Sequence, residues 1–516
     1  MNTASSLLTL SPLLAALLAA CAVGPDYERP TPQTQASFAN VAGSDEFQQA
    51  QPVVAFWTVF DDAQLSAIVE QALRSNHDLR IALANLNQAR ALRREAKFDY
   101  LPTITADAGY THRLLPEAQL PGFGRDVREN EIYSGGFDAT WELDFFGRVR
   151  RANQASKATE QALEATLADA QVSVAAEVAR TYFELRGAQE RHAVAARNAD
   201  NQLQTVQLAK AQLDAGSGTE FDVARAQAQL STTLSALPQF DANVQNAIHR
   251  LSVLTGQQPN ALQASLQAVK ALPELPRLTA IGSPEDLLRR RADIRAAERR
   301  LAASTAQVGV ATADLFPRVS FRGEIGFAAS SVDDIGHAAG ETWSYGPGIT
   351  WAAFDLGRVK ARIDQTKAMQ DGSLARYEQT VLRALEETEN ALVSYSRSRQ
   401  QLEYLRDSVA AGDRAVELAH VRYDGGASGF LDVLTAERAQ LQAQDELAAA
   451  RTATGTTLIA LYKALGGGWA ASDSAVAQQA TSAQMVSGGS VASVSAPRML
   501  AAQRIAAMSL PHSAAP

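Results

Sequence analysis

At 516 residues the chain has room for two to four ordinary domains, yet aromatics make up only 6% of it, and its bulk of Ala, Gln, Leu, Glu and Arg suits long helices better than a thick globular core. The formal net charge of −9 argues against a nucleic-acid partner, because phosphate binding needs concentrated Lys and Arg. Local basic runs exist, such as "LLRRRADIRAAERRL", but this one is broken or flanked by Glu285, Asp286, Asp293 and Glu298 and reads as a solvated helix face.

In chain order, the first feature is an apolar run closing on Leu18-Ala19-Ala20-Cys21, and Cys21 is the only cysteine. An apolar stretch ending in small residues is a secretory signal, so 1–20 reads as a signal peptide. A cysteine at the cleavage point resembles the lipidated residue of a bacterial lipobox. Ala22 stands where lipoproteins retained at the inner membrane carry Asp, which points to the outer membrane. An extended, lipid-anchored segment over 21–61 is expected to follow. Beyond the signal no run approaches the roughly 18 to 20 apolar residues of a spanning helix, so any membrane crossing would use strands.

The remainder is a duplication. Trp141 of "WELDFFGRVRRANQ" and Trp351 of "WAAFDLGRVKARID" lie 210 residues apart (351 − 141), and Gly147/Gly357, Arg148/Arg358, Asp214/Asp424, Gly216/Gly426 and Asp222/Asp432 keep that offset. Matched landmarks at one spacing read as tandem units, over 62–270 and 284–468, joined by a linker at 271–283 that Pro273 and Pro276 punctuate. In the first unit a short helix, a break at Ser75-Asn76 and a second helix stopped by Pro102 lead to strands near 103–112 and 131–146. The pattern then predicts a helix over 147–215, about 100 Å long at 1.5 Å per residue. A turn carrying Gly216 and Gly218 reverses the chain into a helix over 220–256, where Thr219 caps with Asp222 as its capping-box partner. The second unit repeats the plan, with strands near 318–327 and 342–355, helices over 357–424 and 430–465, and Gly425, Gly426 and Gly429 at the turn. Residues 469–516, rich in Ala, Ser and Gln without a sustained pattern, read as a disordered tail.

Apolar positions in the long helices step by threes and fours: Leu163, Leu167, Ala170, Val174, Val178, Tyr182 and Leu185, and again Leu374, Tyr377, Val381, Leu385, Thr388 and Leu392. This is coiled-coil spacing. The strands alternate instead. Tyr133, Phe137, Ala139, Trp141, Leu143 and Phe145 are apolar between Ser134, Asp138, Thr140, Glu142 and Asp144, and Trp343, Tyr345, Ile349 and Trp351 oppose Thr342, Ser344 and Thr350. The third strand sets Val319, Phe321, Ile325 and Phe327 against Arg318, Ser320, Arg322 and Glu324, and the first sets Ile104, Ala106, Ala108 and Tyr110 against Thr103, Thr105, Asp107 and Thr111.

Four such strands could pack on a core with one face in water, or line a membrane pore. The scarcity of other aromatic or β-branched material to build that core favours the pore, with Tyr133, Phe137, Trp141, Trp343, Tyr345 and Trp351 facing lipid. Small barrels need about eight strands, and open edges in lipid leave backbone groups unsatisfied, so the chain must assemble; three copies would supply twelve strands. Gly147 and Gly357 then mark where the polypeptide leaves the membrane wall and continues as helix.

With the lipobox, the "DFFGRVRRA" and "FDLGRVKAR" junctions and the paired turns "AGSGTEFDVARAQAQL" and "GGASGFLDVLTAERAQL", the chain resembles the TolC-like outer-membrane efflux proteins, and most closely their lipidated NodT subgroup, over nearly all of 21–468. The resemblance implies a mainly α protein with a β-barrel portion. It further implies a homotrimer whose 12-stranded barrel continues as an α-helical periplasmic tunnel, with a closed tip opened by a membrane-fusion adaptor coupled to an inner-membrane RND-type pump. Conduction through such a duct is passive, and no cofactor or catalytic group is implied. By the same resemblance Asp432 would form a ring of carboxylates at the tip, alongside its plain role as a helix N-terminal acid. Tyr423 and Asp222 fall on positions that tie the two hairpins, while Ser428 stands where the family has Arg; Arg422 is the candidate substitute.

Enzyme readings find no support. The seven histidines form no HExxH or other paired-ligand spacing, and neither a GxxxxGK[ST] loop nor a GxSxG elbow is present. Two rivals remain open: a duct for type I protein secretion on the same fold, and a periplasmic coiled-coil scaffold lipoprotein without a barrel. Asp107, Asp138, Glu142, Arg322 and Glu324 predict a mixed-charge lumen. Which small molecules pass is not written in these residues.

Overall fold

Two helix starts are set by side chains that satisfy otherwise open amides. The computed structural model, which describes residues 22–32, 35–41, 47–276 and 279–467, places α1 at Ala63–Ser75. Asp62 caps it, accepting from the amides of Gln64 and Leu65 at 2.8 and 2.9 Å. Helix α2 (His77–Phe98) starts under Asn76, which accepts from the amides of Asp78 and Leu79 and so fixes the break between the two. Strands β1 (Thr103–Leu114) and β2 (Glu129–Leu143) follow, then the 67-residue α3 (Arg148–Asp214) and the returning α4 (Glu220–Leu254). The second half opens with α5 (Pro284–Arg290) and α6 (Ala292–Ala313). It continues as β3 (Arg318–Ala329) and β4 (Glu341–Thr350) and ends in the 69-residue α7 (Leu356–Asp424) and α8 (Phe430–Ala464). Cys21 and the tail over 469–516 lie outside the described residues. Among the described residues no helix is long and apolar enough to cross a membrane.

The four main strands form one antiparallel sheet in the order β1-β2-β3-β4. A second, two-residue parallel pairing joins Phe47–Gln48 to Thr279–Ala280 and ties the N-terminal segment to the linker. Two strand ends differ from the alternation read in the sequence. β2 stops at Leu143 rather than 146, because Asp144 turns to serve the first amides of α3 at 2.9 Å. β4 stops at Thr350 rather than 355, where the amide of Asp355 turns back onto the carbonyl of Ala352 at 3.0 Å.

Helix α3 is the spine. Its central stretch buries Val174, Val178, Tyr182, Phe183 and Leu185 against Leu65 and Val69 of α1, Ile248 and Leu251 of α4, and Leu458 and Tyr462 of α8. Phe56 and Phe60, just before α1, complete this core, with Phe56 stacked on Tyr462 and Phe60 edge-on to Phe183. The fully buried Arg186 is held without a carboxylate. Its guanidinium donates to Gln189, Gln64 and the Ala268 carbonyl at 2.7 to 2.9 Å and lies over the Tyr182 ring. Every group it touches is an acceptor or a π face, so it locks α3 to α1 and to the approach to the linker without burying a second charge.

Candidate channel wall and tip

Because side chains alternate across a strand, the register decides which residues share a face. Pairing of Phe137 with Ile325, Ala106 with Phe137, Trp141 with Phe321, and Ile325 with Trp343 gathers the apolar residues of all four strands on one side. Asp138 opposite Glu324 and Thr140 opposite Arg322 fall on the other. The apolar side is left bare by the rest of the chain: Phe137 is 59% exposed, Trp343 65%, Tyr345 72% and Ile349 71%. Tyr133 alone of the six aromatics is half-buried, against Tyr110. Among the described residues neither β1 nor β4 has a second neighbour, so both edges offer unpaired amides and carbonyls. From Trp343 to Trp351 is eight residue steps (351 − 343), or about 26 Å at 3.3 Å per step, which at a barrel strand's tilt of about 40° covers about 20 Å of the roughly 25 Å apolar band of an outer-membrane barrel. At one boundary of that band Trp141 and Trp351 donate their indole N–H groups, each at 3.0 Å, to the carbonyls of Tyr100 and Leu315. These carbonyls stand two residues before Pro102 and Pro317, so the arrangement repeats with the sequence.

The strand-to-helix junctions are alike in sequence and different in construction. Gly147 adopts φ +82°, and a Cβ there would lie 2.7 Å from Ala22, so left-handed backbone and close approach both demand glycine. Asp144 caps α3 from upstream, and Glu142 holds Arg148 through two N–H···O bonds of 2.7 and 2.5 Å. Gly357, expected to serve the same purpose, has ordinary helical backbone within the first turn of α7, open space where a Cβ would go, and Asp355 as the preceding N-cap. We therefore expect Gly147→Ala to cost about 1 to 3 kcal/mol and to release the segment over 22–32 to protease, whereas Gly357→Ala leaves both unchanged. Thermal unfolding with limited proteolysis of the two variants checks this.

At the opposite end both hairpins turn by the same device. Gly216 and Gly426, at φ +75° and +68°, follow α3 and α7. The Ser217 and Ala427 amides reach back to the Gln212 and Arg422 carbonyls at 2.9 and 2.8 Å, closing a Schellman motif in each. Gly218, Gly425 and Gly429 complete the turns without left-handed backbone. Thr219 and Asp222 form a full capping box at the start of α4. Tyr423 packs its ring 5.6 Å from Phe430 and sits at the edge of a small cluster with Val206, Ala209, Ala226, Leu230 and Leu434. Asp432 is exposed in the first turn of α8 and has no ion-pair partner among the described residues.

Residues 68–257 and 283–467 match the family model of outer membrane efflux proteins. The chain belongs to the outer membrane efflux protein family. Nodulation protein T of Rhizobium leguminosarum bv. trifolii is 30% identical over 460 residues, covering 89% of this chain and 97% of the relative. The toluene efflux pump outer membrane protein TtgI of Pseudomonas putida is 30% identical over 462 residues, covering 88% and 97%. Among solved structures the outer-membrane channel OprN superposes with a TM-score of 0.82 at 45% identity, over 87% of this chain and 100% of that one. The family resemblance carried by the motifs and the mainly α fold with a barrel-forming sheet are both met.

Within this efflux-family chain the expected tie of Tyr423 to Asp222 is replaced. The Tyr423 hydroxyl donates to the side-chain oxygen of Gln212 on α3, and Asp222 is engaged by Thr219 in its own turn. Arg422 reaches only the Ala427 carbonyl of the same hairpin at 3.5 Å, and the Ser428 hydroxyl finds no partner among the described residues. Sequence reasoning missed Gln212, which carries no motif, and Asp144, whose place in "DFFG" was a usable signal: an acid three residues before a glycine that opens a helix.

Proposed function

We propose that three copies of this chain close a twelve-stranded barrel in the outer membrane, continued by α3, α4, α7 and α8 as a periplasmic tunnel whose tip is shut at rest. One observation carries the reading. A four-stranded sheet with a bare aromatic face and two open edges runs directly into helices about 100 Å long. Lipid is the solvent that such a face requires, and neighbouring copies are the partners that such edges require. The polar face, with Asp107, Asp138, Arg322 and Glu324, then lines water. Transport is passive conduction of small molecules delivered by an inner-membrane RND-type pump through a periplasmic adaptor, in line with the efflux role that relatives such as the toluene efflux protein carry in their names. A lipid on Cys21 would anchor the chain in the inner leaflet of the outer membrane.

Three Asp432 carboxylates would surround the axis at the tip, and the Tyr423–Gln212 bond holds the second hairpin to the first. In planar bilayers the detergent-purified protein is expected to show a small, cation-preferring conductance. Asp432→Ala should lower cation preference. Tyr423→Phe, which removes one hydrogen bond of about 0.5 to 1.5 kcal/mol, should raise open probability roughly two- to tenfold. Absence of conductance in every variant, with delipidated protein soluble without detergent, would leave a periplasmic scaffold instead.

A further inference from the structure

Tipward of the central core, α3 and α8 meet through polar side chains: Arg191 with Asp445 at 2.8 and 2.9 Å, Asn198 with Gln444 at 3.0 Å, and Thr205 with Glu437 at 2.9 Å. The last contact differs in kind. Glu437 is only 8% exposed, and its Oε1 accepts from the Thr205 hydroxyl of the first hairpin and lies 3.3 Å from Nε2 of His420 on its own hairpin. Its Oε2 is buried with no partner, and so is the side-chain oxygen of Gln202, one turn up α3 in the same cleft of about 390 Å³. An ionised Glu437 would bury a bare acceptor at Oε2, whereas a protonated one carries a hydrogen there to donate.

We propose that Glu437 is a proton-operated bolt between the two hairpins: protonated and buried in the shut tip, ionised and hydrated when the second hairpin swings from α3. The proposal rests on the tip-gated reading above. Burial drives the Glu437 carboxyl above its ordinary range, and the Thr205 and His420 contacts only partly offset this. The groups facing it are few. α3 contributes Asn198, Asn201, Gln202, Gln204 and Thr205, none of which titrates. α7 contributes His420, with Asp413 farther along, where it accepts from Gln440 and Gln444. On α8 the neighbouring Arg438 is exposed. The sign follows from linkage. The shut state binds the proton more tightly than the opened one, so its advantage is full at low pH and is lost as pH rises through the raised pKa.

Open probability in planar bilayers, recorded between about pH 5 and about pH 8, tests this for native protein, Glu437→Gln, Thr205→Val and Asp432→Ala. Native open probability is expected to rise with pH across that range, by at most about tenfold for each unit by which the shut-state pKa exceeds the open-state value. Glu437→Gln, isosteric and neutral, is expected to stay shut with a flat profile. Thr205→Val should be more open at every pH. A native profile that is flat, or one that persists in Glu437→Gln and vanishes in Asp432→Ala, overturns the bolt while leaving a tip-gated channel in place. No conductance in any variant overturns the channel and the bolt together.

Discussion

Phe137→Arg is expected to abolish assembly of the channel in the outer membrane, while Asp138→Lys, one residue on, assembles normally and shifts ion preference toward anions. The two positions are adjacent in β2 and lie on opposite faces of the sheet. An arginine on the lipid face near the bilayer midplane costs about 2 to 4 kcal/mol per copy, and a trimer incurs it three times. A lysine at 138 instead stands in water opposite Glu324 and finds a carboxylate at once. Heat-modifiable mobility on gels and outer-membrane fractionation report assembly, and reversal potentials report selectivity. Equal tolerance at both positions would mean that the aromatic face does not meet lipid.

Gly455→Val is expected to prevent stable folding of the second hairpin, and Gly455→Ala to destabilise it measurably. α3 and α8 cross with no room for side chains: a Cβ on Gly455 would lie 2.2 Å from the Phe183 ring, and one on Gly187 would lie 2.0 Å from the Thr452 hydroxyl. In an exposed helix the same Gly→Ala change gains about 1 kcal/mol of propensity. Here overlap wins, because Phe183 is fully buried in the central core and cannot move aside, and overpacking costs about 1 to 3 kcal/mol or more. Phe183→Leu makes space, so the double variant Gly455→Ala/Phe183→Leu should lose less stability than the two single losses combined. Thermal unfolding in detergent of the four proteins decides it; strictly additive losses would show that the crossing is not tight.

Much of the wall was legible in the sequence and little of the tip was. Alternation of Phe137, Trp141, Trp343 and Tyr345 with polar residues is a local signal, since the period of two belongs to every strand whatever surrounds it. Gly147 and Gly357 look equivalent because the motif repeats, yet only Gly147 has Ala22 against it and left-handed backbone. That difference arises from the N-terminal segment, which contacts the first unit at this junction through Val23 on the Phe146 carbonyl. The family pattern places Tyr423 and Asp222 together, but an acid that can close a capping box three residues from Thr219 does so locally, leaving the tyrosine to Gln212.

By itself the sequence determined the duplication, the order of strands and helices and the alternation that gives the sheet one apolar face. Each of these follows from spacing, period and composition within a few tens of residues. Only the tertiary structure decided which side chains meet across the hairpins: Tyr423 with Gln212, Glu437 with Thr205, Phe183 over Gly455. Those partners are more than two hundred residues apart, and a helix turns 100° per residue. The rotational setting of one helix of about 100 Å on another therefore selects the contacts, and that setting comes from the shared core around Tyr182 and Leu458 rather than from any local run of residues.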